Sequence, residues 1–114
     1  MARAQRLEKM DVLRAELEEE YLEALINALR VTAAGNWGLF DHNQSRIERT
    51  KVAPMVEKLC DLGKEIDGLR DRLGLEPFAL HEEFEASRGP VATTAVGEPK
   101  QAKAWLARLP NPAA

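Results

Sequence analysis

Apolar residues in the second half of the chain recur in alternating steps of three and four positions. The repeat runs over three heptads, and its positions are Val52, Met55, Leu59, Leu62, Ile66, Leu69 and Leu73. We call these seven positions the seam. Such spacing keeps one side of a helix against another helix, as in a coiled coil or a tight bundle. We therefore expect a helix over 46–73 whose seam mediates oligomerisation.

A long first helix is predicted over residues 2–32, because this stretch has no Pro or Gly and is rich in good helix formers. One face carries an apolar stripe, made of Leu7, Met10, Leu17, Tyr21, Ala24, Ala28 and Val31. A second apolar row opens at Leu22, so the later half of the helix should lie deeper in a core or an interface. The acidic run over 16–23 indicates a solvated face, with an acidic binding patch as the alternative.

Local signals predict where the helices begin and end. Gly35 suits the left-handed conformation that closes a helix. Residues 45–48, Ser-Arg-Ile-Glu, have the spacing of a capping box at the start of the second helix. Pro54 predicts either a kink or a break, since it removes a hydrogen bond and crowds the preceding turn. The sequence 73–75, Leu-Gly-Leu, predicts a glycine cap at the end.

Two helices of similar length, joined by about a dozen residues, favour a long antiparallel hairpin. Apolar residues in the connection either plug the end of the hairpin or form an exposed tip that binds a partner; they are Trp37, Leu39 and Phe40. A short third helix that packs on the hairpin is indicated by Phe78, Leu80 and Phe84. The prediction is an all-α, coiled-coil-like fold with one helical oligomerisation domain over 1–86.

The composition changes after residue 86. Gly, Pro and Thr in the next stretch predict a flexible tail over 87–114. Within it, Trp105, Leu106 and Leu109 share one face of a short amphipathic segment over 100–109. Such a segment can dock into a groove of a partner, and Trp is a favoured anchor. The alternative is that the segment folds back on its own domain or oligomer.

Charge and cysteine content narrow the function classes. The chain has 114 residues and a formal net charge of −3, which argues against general nucleic-acid binding. Residues 1–84 carry 12 basic and 17 acidic side chains, whereas 85–114 carry a net charge of +2. Cys60 is the single cysteine, so no internal disulfide forms. No apolar run reaches membrane-spanning length. We expect a soluble, cytoplasmic protein that does not contact a membrane.

The sequence offers no constellation for catalysis, a metal or a cofactor. His42 and His81 are the two histidines, and neither has a metal-ligand spacing with another histidine or cysteine. His81 and Glu85 can share a helix face, but two ligands do not make a site. Cys60 is expected to be packed or partly buried on the seam helix. We therefore predict that the protein is not an enzyme.

Basic side chains near the start of the second helix are candidates for phosphate contact. We single out Arg46, Arg49 and Lys51. Several cations within a short stretch can bind a nucleic-acid backbone without reading its sequence. The alternative is an ordinary solvated end of a helix.

The layout of residues 10–84 resembles that of the small terminase subunits of tailed phages, in particular the reduced form carried by gene transfer agents. The local match lies at 62–78, Leu-Gly-Lys-Glu-Ile-Asp-Gly-Leu-Arg-Asp-Arg-Leu-Gly-Leu-Glu-Pro-Phe. This resemblance implies a non-enzymatic, ring-forming homo-oligomer in a DNA-packaging machine. It also implies recruitment or regulation of the large terminase, which holds the ATPase and the nuclease.

By position, residues 52–73 would match the oligomerising hairpin of that family, and 100–109 the tail that meets the large subunit. Phage members often begin with a helix-turn-helix domain, whereas this chain starts directly with the long helix. The resemblance therefore implies only weak, nonspecific DNA contact. Two rivals stay open: a coiled-coil adaptor with no DNA role, and a small DNA-binding regulator.

Overall fold

The computed structural model describes residues 2–34, 42–88 and 99–109. Within these ranges the chain forms four helices and no strand, which confirms the all-α prediction. The helices are α1 (Ala2–Ala33), α2 (His42–Arg72), α3 (Ala79–Arg88) and α4 (Pro99–Arg108). No helix in the described part of the chain is long and apolar enough to cross a membrane.

α1 and α2 form the predicted antiparallel hairpin, and their apolar faces meet along its length. Two polar contacts fix the direction: Arg70, near the end of α2, binds Glu18, while Lys58 lies 3.6 Å from Glu20 further along α1. Fully buried residues line the contact between the helices, and they include Tyr21, Leu25, Leu29, Val52, Leu59 and Ile66. Burying a large aliphatic side chain contributes about 1.5–3 kcal/mol. The core therefore lies between α1 and α2 of a single chain.

The two apolar rows of α1 have the burial that their spacing predicts. From Leu17 onward the first stripe is buried or half-buried, and Leu25, Ile26 and Leu29 of the second row are all buried. Before Leu17, however, most of the helix is exposed, including Leu7 at 39%. The later half of α1 thus builds the core, as predicted, and in the first half Met10 packs against that core while most other residues are exposed.

The start of α2 differs from the prediction. The helix begins at His42, so Ser45 lies inside its first turn and not at its start. Pro54 does not break the helix, which is continuous from His42 to Arg72. Its ring is on an exposed side, whereas the neighbouring Val52 and Val56 are buried. The buried side of α2 offsets the cost of an interior proline, about 3 kcal/mol.

The end of α2 has the predicted glycine cap. Gly74 has φ 71°, and the Leu75 N–H donates to the Arg70 carbonyl over 2.8 Å. This six-residue closure with a left-handed glycine satisfies helix carbonyls that would otherwise lack donors. The chain then turns into α3, and the N–H of Phe78, just before that helix, donates to the Asp67 carboxylate over 2.8 Å. A third helix on the hairpin is thus confirmed.

α4 packs along α1, so residues 99–109 are an ordered part of the fold. Ala102 and Trp105 are buried in the same core cluster as α1 and α2. The position of this segment in the single chain is that of the fold-back alternative. Residues 89–98 and 110–114 lie outside the described residues, as do the predicted Gly35 cap and the predicted role of Trp37, Leu39 and Phe40.

Candidate interaction surfaces

The seam lies inside the hairpin. Its positions Val52, Leu59, Leu62, Ile66 and Leu69 are buried against the rest of the same chain, and Met55 and Leu73 are half-buried. Arg70, which flanks the seam, binds Glu18 of the same chain. A partner helix from a second copy would have to displace α1 to reach these side chains. Within the single chain the seam therefore packs against α1, and its role in oligomerisation stays a prediction.

The predicted partner-binding residues all lie in α4. Trp105 is 6% exposed, and Leu106 and Leu109 are half-buried. On the outer side of α4, Arg108 binds Glu83 of α3 over 3.0 Å in an exposed pair that contributes little to stability. Apolar burial of Trp105 and Ala102 is therefore the main force that holds α4 on α1.

One buried donor in α4 has no acceptor. Trp105 Nε1 is buried and makes no hydrogen bond. A buried N–H without a partner costs about 1–3 kcal/mol. The docked position of α4 thus combines favourable burial of the indole ring with an unsatisfied polar group.

An open, largely apolar groove lies where α1, α3 and the end of α4 meet. Its apolar wall includes Leu22, Phe78, Leu80 and Leu109. Its polar rim is formed by Glu18, which accepts hydrogen bonds from Arg14 at 2.6 Å and from Arg70 at 2.9 Å. The Arg70 guanidinium also lies over the Phe78 ring, 5.4 Å from its centroid. The groove is therefore framed by one carboxylate held between two guanidinium groups.

This arrangement controls the protonation of Glu18. Burial alone would raise the pKa of Glu18, but the hydrogen bonds from Arg70 and Arg14 outweigh it and hold the pKa below its ordinary value. A carboxylate whose pKa is lower in the folded state stabilises that state at neutral pH. Its contribution is lost as the pH falls through the lowered pKa.

We expect Glu18→Gln to reduce the free energy of unfolding at pH 7 by about 1–2 kcal/mol, because it leaves two guanidinium groups without their shared anion. The difference from wild type should shrink as the pH falls below the ordinary pKa of a glutamate, 4.5, where the unfolded chain takes up the proton first, and should be lost once the pH has fallen through the lowered pKa of the folded state. Urea unfolding across acidic pH measures this. The exposed Glu16→Gln is the matched control. A constant difference at all pH values would contradict the assignment.

Three polar side chains, of which Tyr21 and His81 are buried and Glu85 is mostly exposed, form a chain of polar contacts between the hairpin and α3. The Tyr21 hydroxyl lies 2.8 Å from His81 Nδ1, and His81 Nε2 lies 3.1 Å from a Glu85 carboxylate oxygen. With Nε2–H donating to Glu85, Nδ1 accepts from the Tyr21 hydroxyl. Burial raises the pKa of Tyr21 above its ordinary value, so the hydroxyl keeps its proton and can donate.

The predicted face shared by His81 and Glu85 is thus observed, but sequence reasoning missed Tyr21 as the third member. A histidine between a carboxylate and a hydroxyl has the composition of a catalytic relay. Here the hydroxyl end is closed, because Tyr21 is 0% exposed and the Phe78 ring lies edge-on to its ring at 5.2 Å. The geometry therefore indicates that these contacts hold α3 against the hairpin.

We expect Tyr21→Phe to lower the free energy of unfolding by about 1–2 kcal/mol, because His81 Nδ1 would be left buried without a partner. The comparison variant Glu85→Gln keeps an acceptor for Nε2 at a mostly exposed position, so its effect should be smaller. Chemical denaturation of both variants tests the ranking. Equal stability of wild type and Tyr21→Phe would show that the Tyr21 hydroxyl does not help to hold α3 on the hairpin.

The candidate phosphate contacts lie near the start of α2. Lys51 is exposed, and Arg46 and Arg49 lie within the helix, but their side chains are outside the described residues. Cys60 is half-buried, in agreement with the prediction. Among the residues with described positions, no group of three or more His, Cys, Asp or Glu is arranged to hold a metal ion.

The first half of α1 presents an exposed face that the sequence stripe did not include. Val12 is 58% exposed and Leu13 42%. Together with Gln5, Glu8, Lys9 and Glu16 they line an open groove.

Comparison of the chain with protein-family models, with curated proteins and with solved structures gave no match.

Proposed function

We propose that this chain is a non-enzymatic assembly and recruitment subunit of a phage-like DNA-packaging machine, comparable to a small terminase subunit. One observation carries the assembly role: the first half of α1, which is rich in charged residues, exposes Val12 and Leu13 beside each other. Adjacent exposed apolar side chains on a projecting helix favour an interaction surface. The resemblance of residues 62–78 to small terminases supplies the packaging context.

The projection follows from the hairpin geometry. Glu18 meets Arg70, which is close to the end of α2 at Arg72. In an antiparallel pair, the part of α1 well before Glu18 must then extend beyond α2. Met10 is half-buried and packs against the core, whereas residues 3–9 are all exposed. At about 1.5 Å per residue, the roughly eight residues before Met10 span about 12 Å. We call residues 2–13 the arm, and Val12 and Leu13 on it are accessible to other molecules.

In this proposal the body formed by α1, α2 and α3 is a rigid support, the arm joins copies of the chain, and α4 recruits the motor. α4 is suited to recruitment because Trp105, Leu106 and Leu109 form a compact apolar anchor at a site that also contains an unsatisfied indole N–H. Several copies of α4 on one oligomer would bind a motor with raised effective concentration. Weak phosphate contact through Arg46, Arg49 and Lys51, in the cytoplasm, completes the proposal.

The experiment that tests this function is a binding measurement between the full-length chain and a purified large terminase, after its solution mass has been determined by light scattering. We expect a homo-oligomer that binds the large subunit, with binding lost in Trp105→Ala. A monomer that binds no large terminase would overturn the proposal. The exposed variant Lys103→Ala, also in α4, controls for general effects on the helix.

A coiled-coil adaptor with no DNA role is the second candidate, and the ion pairs favour it. Lys58 lies next to Glu20, and both Arg14 and Arg70 bind Glu18, so these cations are already neutralised within the chain. Fluorescence anisotropy with duplex DNA decides between the two. Binding that weakens steeply with salt supports phosphate contact, and no binding at low salt supports the adaptor.

A further inference from the structure

Along α1, charges of opposite sign lie on the two sides of Val12 and Leu13. The beginning of the arm is basic, with Arg3, Arg6 and Lys9 all exposed. The residues that follow the arm are acidic and exposed, with Glu16, Glu19 and Glu20. Arg14 does not disturb this division, because it binds Asp11 and Glu18. Two acidic side chains lie among the basic ones: Glu8, which lines the same groove as Lys9, and Asp11, which pairs with Arg14. Apart from these, the surface changes from positive to negative along the helix near Val12 and Leu13.

Helical spacing places the central charges and the apolar pair on one face. Lys9, Val12, Leu13 and Glu16 are separated by three, four and seven positions, and all of them line the open groove on α1. A second α1 placed in parallel register would set like charges against each other. In antiparallel orientation the positive end of each helix meets the negative end of the other.

We infer that two copies of this chain associate through antiparallel arms, related by a two-fold axis that passes between Val12 and Leu13. The inference deepens the assembly role proposed above and rests on it. Val12 and Leu13 of both copies form the centre. Lys9 faces Glu16 of the second copy, and the symmetry repeats this pair. An interface of this type is self-complementary, since the same patch serves both partners.

Two features make a second copy the occupant that fits. The apolar centre consists of two neighbouring residues, Val12 and Leu13. A partner must therefore offer an equally narrow apolar strip with charges on both sides. The chain itself offers that strip with the charges in reversed order. The arm extends beyond α2, so two bodies joined this way lie at opposite ends of the helix pair and do not compete for space.

A charge-swap experiment on the full-length chain tests the inference. Lys9→Glu and Glu16→Lys should each weaken self-association about tenfold or more, because each replaces two attractive pairs by repulsive ones. The double variant carrying both changes should restore the wild-type dissociation constant to within about threefold, since opposite charges face each other again. Sedimentation equilibrium over a concentration series measures these constants, and high salt should weaken the wild-type association.

Glu57→Lys, an exposed charge reversal on α2, is the matched control and should leave association unchanged. Circular dichroism verifies that every variant keeps its helices. If the chain self-associates but neither single change weakens it, or the double change fails to restore it, the antiparallel arm interface is wrong while assembly through another surface stands. If the wild-type chain stays monomeric at all concentrations, both the interface and the proposed assembly role are wrong.

Discussion

Replacing Gly63 by alanine should lower the free energy of unfolding by about 2–4 kcal/mol, although alanine is the better helix former. Gly63 is buried in the middle of α2, and a Cβ built on it would overlap the imidazole ring of His81. The ring is the far end of one side chain, but it cannot swing away freely. It lies between the Tyr21 hydroxyl and the Glu85 carboxylate, and it stacks near Phe84.

An alanine at position 63 therefore has to push α3 from the hairpin or break the hydrogen bonds of His81. A buried donor or acceptor that loses its partner costs about 1–3 kcal/mol. Shifting α3 would also expose Phe84, which is 0% exposed in the fold. Equilibrium unfolding in urea, followed by circular dichroism, measures the loss.

Gly68→Ala is the matched control, because Gly68 lies in the same helix and a Cβ there meets nothing within 4 Å. This variant should be more stable than wild type by about 0.5–1 kcal/mol, the ordinary gain from glycine to alanine in a helix. A loss of stability in Gly63→Ala together with a gain in Gly68→Ala would show that α3 closely approaches α2 at Gly63. If Gly63→Ala were as stable as Gly68→Ala, His81 would not pack against α2 as described.

The parts of the fold that the sequence predicts well are local. The glycine cap at Gly74 depends on a few consecutive residues, and the burial of α1 from Leu17 onward follows from helical spacing alone. The capping-box prediction failed at Ser45 because helix continues back to His42, where side-chain pattern gave no start signal. Pro54 is compatible with helix here because its neighbours Val52 and Val56 are held in the core.

The identity of each partner surface was harder to predict. A heptad repeat shows that a helix pairs but not with which helix, so the seam was assigned to oligomerisation although α1 covers it. Tyr21 and His81 are 60 positions apart, and no periodicity links them. No sequence pattern marks Gly63, because its role depends on where α3 packs against α2. Val12 and Leu13 lie outside the apolar stripe of α1, so the helical spacing that predicts the core gives no signal for their exposed face.

Replacing Trp105 by alanine should lower the free energy of unfolding about as much as Gly63→Ala does. Trp105 is 6% exposed and belongs to the same core cluster as Tyr21, Leu25 and Ile66. Truncating a buried Trp or Phe costs about 3–5 kcal/mol. Part of that loss is offset here, because the change also removes the unsatisfied Nε1–H. We expect a net loss of about 2–4 kcal/mol in urea unfolding of the full-length chain.

Trp105→Phe separates the two contributions. Phenylalanine keeps most of the buried ring surface and has no N–H to satisfy, so this variant should lie within about 1 kcal/mol of wild type. The orphaned donor also bears on recruitment. A partner that supplies an acceptor for Nε1 while covering the ring would bind α4 better than α1 does, so tryptophan should exceed phenylalanine in partner binding although the two are similar in stability. If Trp105→Ala left unfolding unchanged, α4 would separate from the body in solution, and its anchor would be open to a partner at all times.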